Sequence, residues 1–158
     1  MSNSPTPEEA ALWQRRLASQ ANNRAWVLTE LQKRTPEEDE EMLQAAHAAM
    51  YFWKIVGTAN NCAHAAQLVA HVYALLALPN RAKHYLAQSQ PYFLSQACND
   101  WEEAFAHAVS ANVAAAAGEH DSHAHHYQVA ERLVASLADE EDRKILNATM
   151  SVIPIPSV

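Results

Sequence analysis

Glycine is nearly missing from this chain. It stands only at Gly57 and Gly118 in 158 residues. Two isolated glycines cannot build a glycine-rich phosphate loop, and they argue against a turn-rich β fold. No serine is flanked by glycine, which excludes a nucleophile elbow. Cysteine is as sparse: Cys62 and Cys98 lack the spacing of a metal motif and read as free thiols. Positive charge is also scarce. Eleven Lys and Arg are set against eighteen Asp and Glu, a net charge of −7. Nucleic acid and anionic membrane surfaces call for a basic face, so neither is an expected partner. The opening MSNSPTPEEA has neither the charged lead nor the apolar core of a secretory signal, which points to the cytoplasm.

What fills the chain instead is alanine and helix-forming residues between short turns. Residues 1–5 read as a disordered lead-in, 6–152 as one helical domain and 153–158 as an extended tail. Thr6-Pro7-Glu8-Glu9 opens a first helix by capping, with proline at its first position. It is expected to reach about Arg34 and to turn Leu12, Trp13, Leu17, Ala21, Leu28 and Leu31 inward. The same stamp, Thr35-Pro36-Glu37-Glu38, opens a second helix that ends at Gly57. A third covers about Asn60–Leu78, and a fourth about Asn80–Ala97, where Pro91 is expected to kink or split it near Gln90. A fifth covers about Trp101–Ala117 and closes on Gly118. A sixth covers about Asp121–Leu137, and a last short helix ends near Met150.

Within this series the stretch Glu41–Gly57 (EMLQAAHAAMYFWKIVG) is the oiliest. Only Gln44, His47, Tyr51 and Lys54 interrupt its apolar surface, in one stripe. Such a helix is expected to be packed on two sides and to sit at the centre, although it is too short and too often interrupted to span a bilayer.

Seven helices with short connections indicate an all-α array of αα-hairpins or an antiparallel bundle. Small residues favour the array. Ala70, Tyr73, Ala77 and Ala82 in the third and fourth helices follow the small-residue pattern of a tetratricopeptide (TPR) repeat. Ala111, Ala114, Gly118 and Ala124 repeat the idea in the fifth and sixth. The spacing from Ala82 to Ala124 is longer than the roughly 34 residues of that repeat.

At these residues the chain resembles a family of uncharacterised bacterial tetratricopeptide-like proteins. The resemblance is carried by His47-Ala48-Ala49-Met50-Tyr51-Phe52-Trp53, Val56-Gly57-Thr58 and Val72-Tyr73-Ala74-Leu75-Leu76. It continues in Trp101-Glu102-Glu103-Ala104-Phe105-Ala106, Ala117-Gly118 and the ending Asp139 to Pro154. It covers residues 40–154 and implies a TPR-like right-handed superhelix of about seven helices, with no reaction attached. The chain departs from the pattern at Ala77, where the repeat has glycine, and at Pro91.

Three groups of residues carry chemistry. The stripe Gln44, His47, Tyr51, Lys54 is expected to face the stripe His64, Gln67, His71 across the turn at Gly57, as a satisfied polar layer or as a wet groove. His120, His123, His125 and His126 cluster at the start of the sixth helix. They lack His-x-x-x-His or Glu-x-x-His spacing and read as surface histidines. Glu103 and His107 stand four apart and read as a helix-surface pair. With His47 and His71 they make the alternative, a metal-binding bundle or metal-dependent enzyme. Trp13, Trp26, Phe52, Trp53, Trp101 and Phe105 are assigned to core packing, with one or two at a dimer interface.

The expected function is a non-enzymatic helical-repeat scaffold for protein–protein interaction, without cofactor and with a possible homodimer. In a stack of hairpins the first helix of each pair lines the concave side. His64, Gln67, His71, Ala108 and Asn112 are therefore the expected groove, with His47, Tyr51 and Lys54 beside it.

Overall fold

The computed structural model describes residues 4–93, 95 and 98–157. All regular structure among them is helical: α1 (Pro7–Thr29), α2 (Pro36–Val56), α3 (Ala59–Leu75), α4 (Pro79–Phe93), α5 (Asp100–Ala117), α6 (His120–Ser136) and α7 (Glu140–Met150). The expected ends of the lead-in (1–3), of the fourth helix (Ala97) and of the tail (Val158) lie outside the described residues.

The helix starts are written locally. Thr6 with Glu9, Thr35 with Glu38, Thr58 with Asn61 and Asn99 with Glu102 each form a reciprocal capping box. Two helices stop earlier than the sequence suggests. α1 ends at Thr29 because Pro36 forces the preceding Thr35 to be extended, leaving residues 30–34 to make the turn. Arg34 then donates to the carbonyls of Leu28 and Leu31, which the helix end leaves open. α3 ends at Leu75, and Ala77 takes a left-handed φ of 56°. The Leu78 amide donates to Tyr73 O and the Ala77 amide to Ala74 O, a Schellman closure. Gly118 (φ 71°) closes α5 in the same way. Pro91 does not split α4 near Gln90; the helix runs on to Phe93, so the proline occupies its last turn.

Helices pair in sequence: α1 with α2, α3 with α4, α5 with α6. Their short connections make each pair antiparallel. The second helix of each pair also packs on the first helix of the next, α2 on α3, α4 on α5 and α6 on α7. The first helices touch one another in order, α1 to α3, α3 to α5, α5 to α7. Side chains from α3 through α7, among them Ala70, Ala82, Phe105, Val109 and Leu146, fill one core cluster. Leu28, Met42, Ala46, Leu68 and Val72 fill a second.

The centre is not where apolarity alone puts it. α2 buries four of its 21 residues, whereas α3 buries ten of 17 and α5 ten of 18. The alanines of α3 and α5 (Ala66, Ala70, Ala104, Ala108, Ala111) let neighbours approach on every side. α2, with bulky Tyr51, Phe52 and Ile55, stays on the outside. On α1, Leu12, Trp13 and Leu17 are exposed rather than inward, because its contact is made by Ala18, Ala25 and Leu28. The tail is anchored: Ile153 is buried beside Tyr127, Ala130 and Met150, and His123 Nε2 donates to Pro154 O at 2.7 Å.

Candidate functional site

The first helices line a cavity of about 350 Å³. α1 supplies Asn22 and Trp26, and its C-cap residue Glu30 continues their four-residue spacing, hence one face. α3 supplies Asn61 and His64, α5 supplies Trp101 and Phe105, and α7 supplies Ile145 and Thr149. The exception is Trp53, from the last turn of α2. Gly57 permits its position: a Cβ there would lie 2.6 Å from Trp53 O and 3.0 Å from the indole ring. The rings touch one another. Trp26 meets Phe105 edge-on at 4.9 Å between centroids, and Trp101 stacks on Phe105 at 5.2 Å. These aromatics are both core and wall.

Behind the wall lies a polar seam between α3 and α5. Glu102 Oε1 accepts from Asn60 Nδ2 at 2.7 Å and from His64 Nε2 at 2.9 Å; its Oε2 accepts the Asn99 amide at 3.1 Å. Burial raises the affinity of this carboxyl for a proton. The hydrogen bonds from His64, Asn99 and Asn60 outweigh that and hold its pKa below the usual range. A carboxylate accepts only, so the Nε2 of His64 carries the hydrogen. Glu102 thus caps α5, joins it to the start of α3 and fixes the His64 ring on the cavity wall.

Two turns deeper, Asn112 Nδ2 donates to His71 Nδ1 at 3.0 Å and to His71 O at 3.4 Å. Trp26 stacks on the same imidazole at 5.7 Å. Burial, with a smaller contribution from Arg34, lowers the His71 pKa to about 3, so this histidine is neutral at physiological pH.

Several expected site residues fall elsewhere. Gln67 and His71 are 0% exposed and Asn112 is 3% exposed. None of the three lines this cavity: His71 and Asn112 are buried between α3 and α5, Gln67 lines a separate, smaller cavity with Ser89, His107 and His126, and Ala108 is buried as well. The two polar stripes do not face each other. His47 Nε2 instead bonds the Tyr73 hydroxyl at 2.9 Å. Tyr73 follows His71 by two residues, about 200° around the helix, so turning His71 toward α5 turns Tyr73 toward α2. Gln44 bonds Glu40, and Tyr51 and Lys54 are exposed on the outer face of α2.

The histidines of the metal alternative take separate partners. His47 is with Tyr73, His71 with Asn112, and His107 Nδ1 with His126 Nδ1 at 2.9 Å. Glu103 is exposed. Among the described residues no group of three His, Cys, Asp or Glu is placed to hold a metal ion. Of the four histidines of the sixth helix, His120 and His125 are exposed. His123 is buried and holds the tail, and the half-buried His126 bonds His107. Cys62 and Cys98 are free thiols.

Of the expected groove residues only His64 lines this cavity; sequence reasoning missed the residues from α1 and α7, and Asn61, and assigned Trp53, Trp101 and Phe105 to the core. The four-residue spacing of Asn22, Trp26 and Glu30 was the available signal, two polar groups flanking one aromatic on a single face. No described helix is long and apolar enough to cross a membrane. No protein-family model matches the chain, and searches of curated proteins and of solved structures found no significant match.

Proposed function

We propose that this chain is a TPR-like superhelix that binds a segment of another protein in the groove walled by α1, α3, α5 and α7. One observation carries the reading: all four first helices converge on one aromatic cavity, to which the second helices add only Trp53. The neighbour pattern supports a superhelical stack, because each second helix covers the next first helix while the first helices line a common side. Large aromatic surfaces with a few polar groups at the edge are the usual composition of a binding hot spot. His64 spends Nε2 on Glu102, and the half-buried Asn22 and Asn61 add further polar groups for a peptide backbone. The reading is of a binding protein without catalysis: the wall has a histidine held by a carboxylate, no Ser or Cys, and one hydroxyl, Thr149, which is buried and donates to Ile145 O.

A peptide library displayed on phage tests this. Peptides selected on the wild type should bind Trp53→Ala at least tenfold more weakly and bind Tyr51→Ala, on the outer face, unchanged. Equal binding to both variants would remove the groove assignment.

A further inference from the structure

The groove also specifies what kind of side chain enters it; the argument rests on the binding reading above. Its ten lining residues include three tryptophans and Phe105, one carboxylate, Glu30, and no Lys or Arg. Glu30 makes no ion pair and no side-chain hydrogen bond among the described residues. A second carboxylate, Glu102, stands directly behind His64. The chain as a whole carries a net charge of −7.

These features decide between occupants. An acidic side chain would meet Glu30 with no Lys or Arg in the lining to compensate it. A purely apolar one would cover the rings but make no use of the exposed carboxylate at their edge. A basic side chain satisfies both surfaces. Its charge lies over the indole faces and its N–H groups reach the carboxylate. Arginine fits better than lysine, because its planar guanidinium stacks on an indole while its edge pairs with a carboxylate. The same contact exists on this chain's own outer face, where the Arg16 guanidinium lies 5.3 Å from the Trp13 ring centroid. We infer that the groove formed by Trp26, Trp53, Trp101, Phe105 and Glu30 holds an arginine side chain of a partner polypeptide.

The four tryptophans give the test its own control, since Trp13 is 58% exposed and lies away from the groove. Indole N–H resonances are followed while acetyl-Gly-Arg-Gly-amide is added, and separately its citrulline analogue, of the same shape but uncharged. The Arg peptide should move the signals of Trp26, Trp53 and Trp101 and leave Trp13 in place. Citrulline should bind about tenfold more weakly, as loss of a charge-assisted contact over aromatic faces implies. Glu30→Gln should shrink the Arg preference severalfold without changing citrulline binding; Glu30 is exposed, so the fold is not at stake. Equal titration by both peptides would overturn the basic occupant and leave the groove. Silence of the three groove indoles toward both peptides, with movement on adding a phage-selected peptide that lacks Arg, would overturn it too. If no selected peptide moves them either, the binding reading falls as well.

Discussion

α2 and α3 are neighbours of similar length and both look apolar in the sequence, yet they do different work. α2 presents Tyr51 at 63% exposure and Ile55 at 50%, while α3 keeps Leu68, Val69 and Val72 at 0%. The difference lies in side-chain size more than in oiliness. Alanine at positions 63, 65, 66, 70 and 74 gives α3 faces that other helices can approach closely, so it is surrounded by α1, α2, α4 and α5. The big residues of α2 serve one partner on each side and leave a remainder in water. The contrast extends along the array: α1, α3, α5 and α7 line the aromatic cavity, to which α2 adds Trp53 alone.

The sharpest way to break the comparison is truncation at matched positions. Leu68→Ala on α3 should cost about 3 kcal/mol, the range for emptying a filled core site. Ile55→Ala on α2 should cost about 0.5 kcal/mol or less. Urea unfolding of the two variants reads this directly, and equal losses would remove the distinction. The junction of the two helices comes next. Gly57→Ala places a methyl 2.6 Å from Trp53 O, a backbone atom that cannot swing away. About 2 kcal/mol should be lost, and the Trp53 indole resonance should shift.

The histidines of the two helices sharpen the contrast through pH. His71 has a folded pKa of about 3 against an ordinary value of 6.5. The unfolded chain therefore takes up a proton that the folded chain refuses. Its contribution to stability is whole above pH 6.5 and is lost as pH falls toward 3. Between pH 7 and 5 that linkage amounts to about 2 kcal/mol. His71→Gln should flatten the acid limb of a stability–pH profile by about this amount. His47, half-buried on α2, is also shifted downward, by burial first and then by Arg81 and Lys54; His47→Gln should flatten the limb less. An equal or reversed order would contradict the placement of the two rings. The smallest effect is a gain. Ala77 holds a left-handed backbone that costs an L-residue roughly 1 kcal/mol, so Ala77→Gly should raise stability by about that much in thermal unfolding.

Much of this architecture was legible before any coordinates. The capping residues Thr6, Thr35, Asn99 and Asp139 mark helix starts by chemistry that acts within one turn, and local signals survive folding. The all-α class and the hairpin order followed from them. The Ala77 departure was visible too, and it reappears as a non-glycine residue at positive φ. The centre and the groove were not legible in the same way. Whether His71 or Tyr73 turns inward depends on which neighbours α3 has, and helix periodicity leaves that rotation open. Trp26 and Trp101 read as core because an aromatic that forms the wall of a cavity has the same spacing as one that fills it. Gln67, His71 and Asn112 looked like groove residues because polar groups on an inner helix suggest water. Here His71 and Asn112 answer each other across the α3–α5 seam.

Hydrogen exchange of the backbone amides, with and without a phage-selected peptide, tests the division of labour most directly. Added protection should fall on the groove stretches of the first helices, around residues 22–30, 61–64, 101–105 and 145–149, and on Trp53. The remainder of α2, with α4 and α6, should be unchanged. A footprint centred on α4 and α6, or on the outer face of α2 around Tyr51, would contradict the account.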